Sequence, residues 1–263
     1  MPTFDTPSPL QIRLDLSAGS VRLRASDRGD TVVTVRPGNE QKAADVQAAE
    51  QTRVTCTDGR LDVSSPRRAR LLFMGSTPTV DIELLVPEGS AVEATIAAGE
   101  VHCEGRLGDV RIDNRYGDIS VDRAATLRAH TSAGNITVGS VADGGEAGTS
   151  YGEIRIRDAA GDLRLDSACG DITVDRALAS VGATTKYGRV SVHDAGSGSL
   201  DLATSYGKVE AGVHDGTPAW LDLEAASGRV RNLLTPSDAP AGSEEPLRIK
   251  ARTSYGDIVV RRA

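Results

Sequence analysis

The stretch RYGDISV, Arg115 to Val121, decides the fold because the chain repeats it along most of its length. From Gly99 to Gly256 the central glycine returns at spacings of 18, 17, 18, 18, 18, 19, 21 and 28 residues. A nearly fixed period of this size, filled with strand-forming residues, is typical of stacked repeat architectures. The other copies are SAGSVRL (17–23), AAGEVHC (97–103), SAGNITV (132–138), SYGEIRI (150–156), ACGDITV (168–174), KYGRVSV (186–192), SYGKVEA (205–211), SGRVRN (227–232) and SYGDIVV (254–260).

Each copy alternates between an apolar and a polar face. In a strand, Ile119 and Val121 point to one side in phase with Gly117, while Tyr116 and Asp118 point to the other. One such coil cannot bury its apolar face alone, but coils stacked about 4.8 Å apart can. The sequence therefore predicts an all-β protein, a parallel β-solenoid with coils of about 18 residues. The glycine is expected where the chain bends closely past a neighbour or needs a positive φ.

Composition narrows the protein classes. Of 263 residues, 39% are hydrophobic but only 3% are aromatic, so Val, Ile, Leu and Ala must build the core. The net charge of −7 disfavours nucleic acid as a partner, since phosphate binding requires basic surface. The cysteines (Cys56, Cys103 and Cys169) lack CxxC spacing and predict neither a disulfide framework nor a zinc site. Cys103 falls on an inward position and is expected to be buried.

The sequence contains no targeting or membrane signal. No apolar stretch approaches the roughly 20 residues that a membrane helix needs. The N-terminal MPTFDTPSPLQIRLDL has neither the basic nor the apolar region of a signal peptide. We therefore expect a cytoplasmic protein without a transmembrane segment.

Sequence regularity divides the chain into residues 1–96, an N-terminal β-rich part, and 97–263, the regular solenoid repeats continuous with it. Residues 1–9 are predicted to be a loose leader, and Asp58-Gly59 to form a hairpin turn. Residues 39–51 are the only convincing helix, with Asn39 as its cap and an apolar face of Ala43, Val46 and Ala49, with Ala44 and Ala48 alongside. Such a helix is expected to cover an open end or a flank of the strands.

Two segments and the C-terminus stand apart from the repeat. Residues 65–78 combine an arginine cluster with an apolar tetrad, and are expected to pack back onto the body or to contact a partner or membrane surface. Residues 233–246 are predicted to be a surface loop inserted between repeats. The chain ends on SYGDIVVRRA without a cap, so Arg261 and Arg262 are expected to guard an edge.

A column of tyrosines is the candidate interaction surface. All five tyrosines immediately precede a repeat glycine, and they are Tyr116, Tyr151, Tyr187, Tyr206 and Tyr255. Aligned coil by coil in sequence order, the column contains Tyr, Ala, Tyr, Cys, Tyr, Tyr, Ser and Tyr. Such a ladder could stack against sugar rings or a partner chain. The alternative is a structural role, in which each ring covers the bare backbone at the bend.

The position after the glycine carries charge. It is mainly acidic from Glu100 to Asp171, then basic at Arg189, Lys208 and Arg229, and acidic again at Asp257. Oppositely charged ends could favour head-to-tail association of copies. The alternative is an ordinary solvated face.

Catalytic, cofactor and metal sites are not expected. The histidines are scattered without HExxH spacing, and no phosphate-binding loop or nucleophile elbow is present. The carboxylates run along a column rather than gathering in a groove, and the calcium-binding nonapeptide repeat is missing. We therefore expect neither enzymatic activity nor a cofactor.

The train of S-Y-G-D-I-x-V phrases resembles the bacterial putative-adhesin β-helix family, a domain family of unknown function. The segments F-D-T-P, S-D-R-G-D-T-V-V-T-V-R-P and A-A-E-Q-T-R-V look like those of soluble actinobacterial members. The resemblance covers essentially the whole chain and implies a right-handed parallel β-helix. It assigns no catalytic residue.

The expected function is that of a non-enzymatic structural or interaction protein. A β-solenoid would present a flat face to a protein partner or to copies of itself. The alternative is a carbohydrate-binding module that uses the tyrosine ladder.

Overall fold

A computed structural model describes residues 2–66, 77–235 and 246–263. The chain divides into two compact units, residues 1–133 (unit 1) and 134–263 (unit 2). Both are built almost entirely from strands in β-solenoid-like stacks. The division at residue 96, drawn from sequence regularity, stays a prediction.

The described residues of unit 1 form ten strands and one helix. Its strands alternate between buried and exposed residues, as the sequence pattern predicts. The elements are β1 (Thr3–Asp5), β2 (Gln11–Leu16), β3 (Val21–Ser26), β4 (Asp30–Pro37), α1 (Ala43–Gln51), β5 (Arg53–Thr57), β6 (Arg60–Ser64), β7 (Val80–Pro87), β8 (Ala91–Ala98), β9 (Val101–Tyr116) and β10 (Ile119–Ala133).

The strands of unit 1 do not stack in sequence order. The parallel strand β2 lies between β6 and β8, and β3 lies between β7 and β9. The first phrase of the chain therefore enters the repeat stack, with Val21 beside Val101 and Val101 beside Ile119. Antiparallel pairs β1–β4, β4–β7 and β5–β6 flank this stack.

The expectation of a loose leader over residues 1–9 is wrong. Thr3–Asp5 form β1, which pairs antiparallel with β4 and places Phe4 beside Thr31. The Thr6 and Thr31 hydroxyls lie 2.7 Å apart in the interior. Alternation over three residues is too short to predict a strand, and β4 supplies the missing hydrogen-bond partners.

The predicted hairpin at Asp58-Gly59 is confirmed. Strands β5 and β6 pair antiparallel on either side of it. Asp58 has φ +51° and Gly59 has φ +74°. Positive φ at both central residues is the geometry that two-residue hairpins prefer.

The helix is confirmed, but its start and its buried face are corrected. It begins at Ala43 after an extended Lys42, so Asn39 does not cap it. Its buried residues are Asp45 and Ala48, whereas Ala43 is exposed. The Thr79 hydroxyl donates a hydrogen bond to the Asp45 carboxylate at 2.8 Å, which holds the pKa of Asp45 below its ordinary value. Ala48 is thus buried as its apolar character predicts, and the hydrogen bond from Thr79 accounts for the burial of Asp45 beside it. The helix packs against β4 and β7.

Twelve strands are formed by the part of unit 2 that the structure describes, residues 134–235 and 246–263. Most are short and end at a turn that follows a tyrosine or an alanine. They are β11 (Ile136–Tyr151), β12 (Ile154–Ala159), β13 (Leu163–Cys169), β14 (Ile172–Ala177), β15 (Val181–Tyr187), β16 (Val190–Ala195), β17 (Ser199–Tyr206), β18 (Val209–Val213), β19 (Ala219–Ser227), β20 (Val230–Asn232), β21 (Leu247–Tyr255) and β22 (Ile258–Arg262).

Two parallel stacks run through unit 2. One contains β11, β13, β15, β17, β21 and β19 in that order. The other contains β11, β12, β14, β16, β18, β22 and β20. The register repeats along both, so that Ile154 lies beside Ile172 and Ile172 beside Val190.

The last coil of the chain is inserted rather than terminal, which corrects the predicted C-terminal edge. Strand β21 lies between β17 and β19, and β22 lies between β18 and β20. Arg262 donates hydrogen bonds to the carbonyl oxygens of His214 and Thr217. Among the described strands, those at the end of these stacks are instead β19 and β20, in which Trp220 and Val230 are exposed.

The apolar residues of the phrase form the core, as predicted. Ile154, Ile156, Ile172 and Val174 are all buried, and the same positions are buried in neighbouring coils. In unit 1, Cys103 occupies such a position, and burial raises the pKa of its thiol to about 12. The expectation that Cys103 packs inside is confirmed.

The repeat glycines stack on one another. Gly170 has φ +147°, and a Cβ placed on it would lie 1.9 Å from the carbonyl oxygen of Gly152. No side chain fits at that distance, so the bend requires glycine for both its conformation and its close approach. The same approach recurs in unit 2 at Gly152, Gly188, Gly207, Gly228 and Gly256, and within unit 1 at Gly99 and Gly117.

A column of buried hydroxyls lies beside the glycines. In seven coils the side chain three positions before the repeat glycine donates to the carbonyl oxygen of the glycine in the adjacent coil, as Thr185 does to Gly170 at 3.1 Å. These bonds satisfy carbonyl groups that would otherwise be buried without a partner. The hydroxyls of unit 2 belong to Thr149, Ser167, Thr185, Thr204 and Thr253. In unit 1, Thr131 makes the same bond, and Asn114 makes it with its side-chain amide.

Residues 67–76 and 236–245 lie outside the described residues. They contain most of the predicted 65–78 and 233–246 loops, including the arginine cluster and the apolar tetrad. The expectations for those loops stay predictions.

Candidate functional site

Three tyrosines of unit 2 form a continuous stack. The ring centroids of Tyr187 and Tyr206 are 5.1 Å apart, with 8° between the ring planes. Those of Tyr206 and Tyr255 are 4.9 Å apart, with 6° between the planes. The rings therefore repeat at about the spacing of the strands that carry them. We call Tyr187, Tyr206 and Tyr255 the tyrosine ladder.

The strand order of unit 2 builds the tyrosine ladder. Strand β21 lies directly on β17, which places Tyr255 beside Tyr206. Had the coils stacked in sequence order, Ser227 of β19 would have followed Tyr206. The glycine column fixes the backbone immediately after each ring, so the three side chains leave the stack at equivalent points.

The other two tyrosines stand apart from the ladder. Tyr151 lies in the same column, but Cys169 occupies the coil between it and Tyr187. Tyr116 belongs to unit 1, where Ala98 and Ala133 are its neighbours in the column. The structure thus brings together three of the five predicted surface tyrosines.

Exposure of the tyrosines follows the number of rings beside them. Tyr206, stacked on both sides, is 49% exposed, and Tyr187 and Tyr255 at the two ends of the stack are each 56% exposed. Tyr116 and Tyr151 are 58% and 66% exposed. All five side chains are therefore exposed at the surface. An aromatic ring with a polar tip on a rigid backbone is suited to molecular recognition.

Basic side chains lie along the tyrosine ladder. Lys186 precedes Tyr187, and Arg189 and Lys208 follow the glycines next to Tyr187 and Tyr206. Lys208 donates to the Glu210 carboxylate, which holds the pKa of Glu210 below its ordinary value. Lys186 and Arg189 are exposed, so this edge combines aromatic and cationic groups in a chain of net negative charge.

The strand order also corrects the charge column after the glycines. In the stack of unit 2, Asp257 lies between Lys208 and Arg229, which interrupts the predicted basic half. The carboxylate of Asp257 accepts a hydrogen bond from the backbone N–H of Arg229 at 2.9 Å. Asp171 does the same for the N–H of Arg189 at 2.7 Å. These acidic residues therefore connect adjacent coils at the bend.

Two features escaped the sequence analysis, although the sequence carries a signal for each. The hydroxyl column could have been found from Thr or Ser recurring three residues before the glycine. The insertion of the last coil could have been suspected from SGRVRN (227–232), which lacks the tyrosine and is the least regular late phrase. End repeats of solenoids are commonly atypical, and this phrase does lie at the end of the stacks.

Within residues 2–66, 77–235 and 246–263, no three His, Cys, Asp or Glu side chains gather as metal ligands would. In the same part of the chain, no helix is long and apolar enough to cross a membrane.

Several solved structures are similar to the whole chain at low sequence identity. A "putative adhesin" from Bacteroides fragilis is 12% identical with a TM-score of 0.46, and 95% of its chain is covered. A "putative lipid binding protein" from Parabacteroides distasonis is 14% identical with a TM-score of 0.42 and the same coverage. A "putative adhesin" from Parabacteroides distasonis is 12% identical, with a TM-score of 0.33 and 95% coverage.

No curated protein is significantly similar in sequence to the chain. One family model does match, and it covers residues 10–261, from the second strand of unit 1 to the last strand of unit 2. This match agrees with the resemblance drawn from the sequence, which was to a β-helix domain family of unknown function. The chain belongs to the Toastrack DUF4097 family.

Proposed function

We propose that this protein is a non-enzymatic interaction scaffold whose tyrosine ladder and flanking basic groups contact a protein partner. The scaffold is a right-handed parallel solenoid with about 18 residues per coil, as parallel crossover connections are almost always right-handed. It acts without a cofactor, and its location is the cytoplasm. Within its family, the protein is of the type found as soluble actinobacterial members.

The stacking of Tyr187, Tyr206 and Tyr255 is the observation that supports this proposal. Tyrosine supplies a large contact area while losing little side-chain entropy, and it is enriched in interfaces. Rings already held in a stack lose still less freedom when a partner binds. The exposed Lys186 and Arg189 add charge that can steer and orient a partner.

The stack favours a protein partner over a carbohydrate. A sugar ring packs on the open face of an aromatic ring, but both faces of Tyr206 are covered by its neighbours. The ladder presents mainly ring edges and hydroxyl groups, which suit hydrogen bonds and side-chain packing.

A capture experiment tests the scaffold function. The wild-type protein and the triple variant Tyr187→Ser, Tyr206→Ser, Tyr255→Ser are immobilised and exposed to lysate of the native cell. Proteins that the wild type retains are identified, purified and titrated against both. Interface residues of this kind cost about 2 kcal/mol each when truncated, so we expect affinity to fall at least ~10-fold.

A matched control changes three residues on the other stack of unit 2. Thr137, Arg155 and Thr173 are register neighbours there, and a variant with serine at all three should retain the same partners. Thermal unfolding of each variant verifies the fold. Equal partner affinity for the ladder variant and the wild type would contradict the proposal. Sedimentation velocity on the same samples tests the second predicted partner, another copy of the chain.

A further inference from the structure

The aromatic column of unit 2 is interrupted at one coil. In register order it contains Tyr151, Cys169, Tyr187, Tyr206 and Tyr255. Cys169 therefore occupies the coil in which a further ring would extend the stack from Tyr187 towards Tyr151. Its side chain is half-buried and much smaller than a tyrosine.

The interruption has the width of one ring. Two strand spacings separate the coils of Tyr151 and Tyr187, which amounts to about 9.6 Å. The intact part of the column shows that rings stack here at 4.9 and 5.1 Å. One planar ring inserted over Cys169 would thus lie at an ordinary stacking distance from both tyrosines.

The exposure of the flanking rings agrees with an open gap. Tyr187 is as exposed as Tyr255, and each has a single stacked ring beside it. Tyr151 is 66% exposed, more than any other tyrosine. Had Tyr151 folded over Cys169 to close the gap, its own exposure would have fallen instead.

We infer that the gap over Cys169 is a binding slot for one aromatic side chain of a polypeptide partner, held between Tyr151 and Tyr187. This inference rests on the proposed scaffold function and names the chemistry that one position of it recognises. The charged residues next to the bends of these three coils have both signs. Glu153 and Asp171 are acidic, and Lys186 and Arg189 are basic. A neutral ring therefore fits the slot better than an ion of either sign.

The slot selects aromatic rings because its occupant stacks on Tyr151 with one face and on Tyr187 with the other. A planar ring gains both contacts without disturbing the tyrosines, whereas a branched aliphatic side chain has no flat face to offer. A pyranose ring is the competing occupant, and the experiment includes it.

Nuclear magnetic resonance of ring-labelled tyrosine tests the slot. The chain has five tyrosines, so each ring can be assigned from single Tyr→Phe variants. The probe is N-acetyl-L-tryptophanamide, compared with N-acetyl-L-leucinamide and cellobiose. We expect saturable shifts at Tyr151 and Tyr187 with the aromatic probe alone, and none at Tyr116.

Substitutions at Cys169 separate the slot from other binding. Cys169→Ala leaves the gap open and should preserve the shifts. Cys169→Tyr fills the gap and should weaken the probe's apparent affinity at least ~10-fold. Tyr151→Ala removes one wall and should have the same effect if the filled variant does not fold.

Three results would overturn the inference. They are an absence of saturable shifts at Tyr151 and Tyr187, an unchanged affinity in Cys169→Tyr, and an equal response to leucinamide or cellobiose. The scaffold function is tested separately by measuring partner affinity in a Tyr206→Ser, Tyr255→Ser variant, because these two rings lie outside the slot and Tyr187 is unchanged.

Discussion

Replacing Gly170 with alanine is expected to destabilise the protein by more than about 3 kcal/mol, or to prevent unit 2 from folding. The new Cβ would lie 1.9 Å from the carbonyl oxygen of Gly152 in the adjacent coil. Backbone atoms on both sides must move, and each movement disturbs the next coil along the column. The φ of +147° adds a conformational penalty that alanine cannot avoid.

Gly182 provides the matched control. It lies in strand β15 of the same unit, without positive φ, and the nearest atom to its added Cβ is 3.9 Å away. Gly182→Ala should change the free energy of unfolding by less than about 1 kcal/mol. Denaturant titration of the two variants measures both values. Similar values for the two would contradict the stacked glycine column.

Ending the chain at Pro246 is expected to unfold residues 219–232. This truncation removes β21 and β22, the strands through which β19 and β20 pair with the stacks. The apolar residues of β17 and β18 would also become exposed at the new end. Because the coils share a continuous core, cooperative unfolding of unit 2 should be weakened or lost.

Hydrogen exchange detected by mass spectrometry measures this effect. Peptides from 219–232 should be protected in the full chain and exchange rapidly in the truncated one, with β8 as an internal reference. If the coils followed sequence order, β19 and β20 would still pair with β17 and β18. Protection of 219–232 in the truncated chain would therefore contradict the observed strand order.

The repeat alone predicts most of the fold. Alternation of Ile and Val around each glycine predicts parallel stacked coils with a narrow apolar core, and the structure confirms both. The bend glycines and the Asp58-Gly59 hairpin are equally visible, because their backbone geometry leaves few residue choices. These features are local, or they repeat with a fixed period.

Features that depend on a distant partner were missed or misplaced. The strand Thr3–Asp5 forms only because β4 offers an edge. The helix buries Asp45 together with Ala48 because Thr79, far along the chain, supplies a hydrogen bond to the Asp45 carboxylate. No pattern within either segment contains this information.

The sequence reveals which residues make up the candidate site, but it does not reveal how they stack. The five tyrosines are evident in the sequence, yet sequence order places Ser227 between Tyr206 and Tyr255. Coils with nearly identical phrases have the same local preference for strand and turn, so local sequence does not determine the order in which they stack. That order depends on which coil is most stable at the exposed end of the stack. The irregular 227–232 phrase takes that place, and the tyrosine ladder becomes continuous as a result.

Disulfide formation between β17 and its neighbour tests this strand order most directly. Ala203 lies beside Arg252 of β21, and Glu224 of β19 lies one strand further away. In a background with Cys56 and Cys169 replaced by serine, Ala203→Cys is combined with either Arg252→Cys or Glu224→Cys. Adjacent strands are about 4.8 Å apart and within disulfide range, whereas about 9.6 Å is too far. We predict rapid oxidation of the 203–252 pair alone, and a bond between 203 and 224 instead would contradict the account.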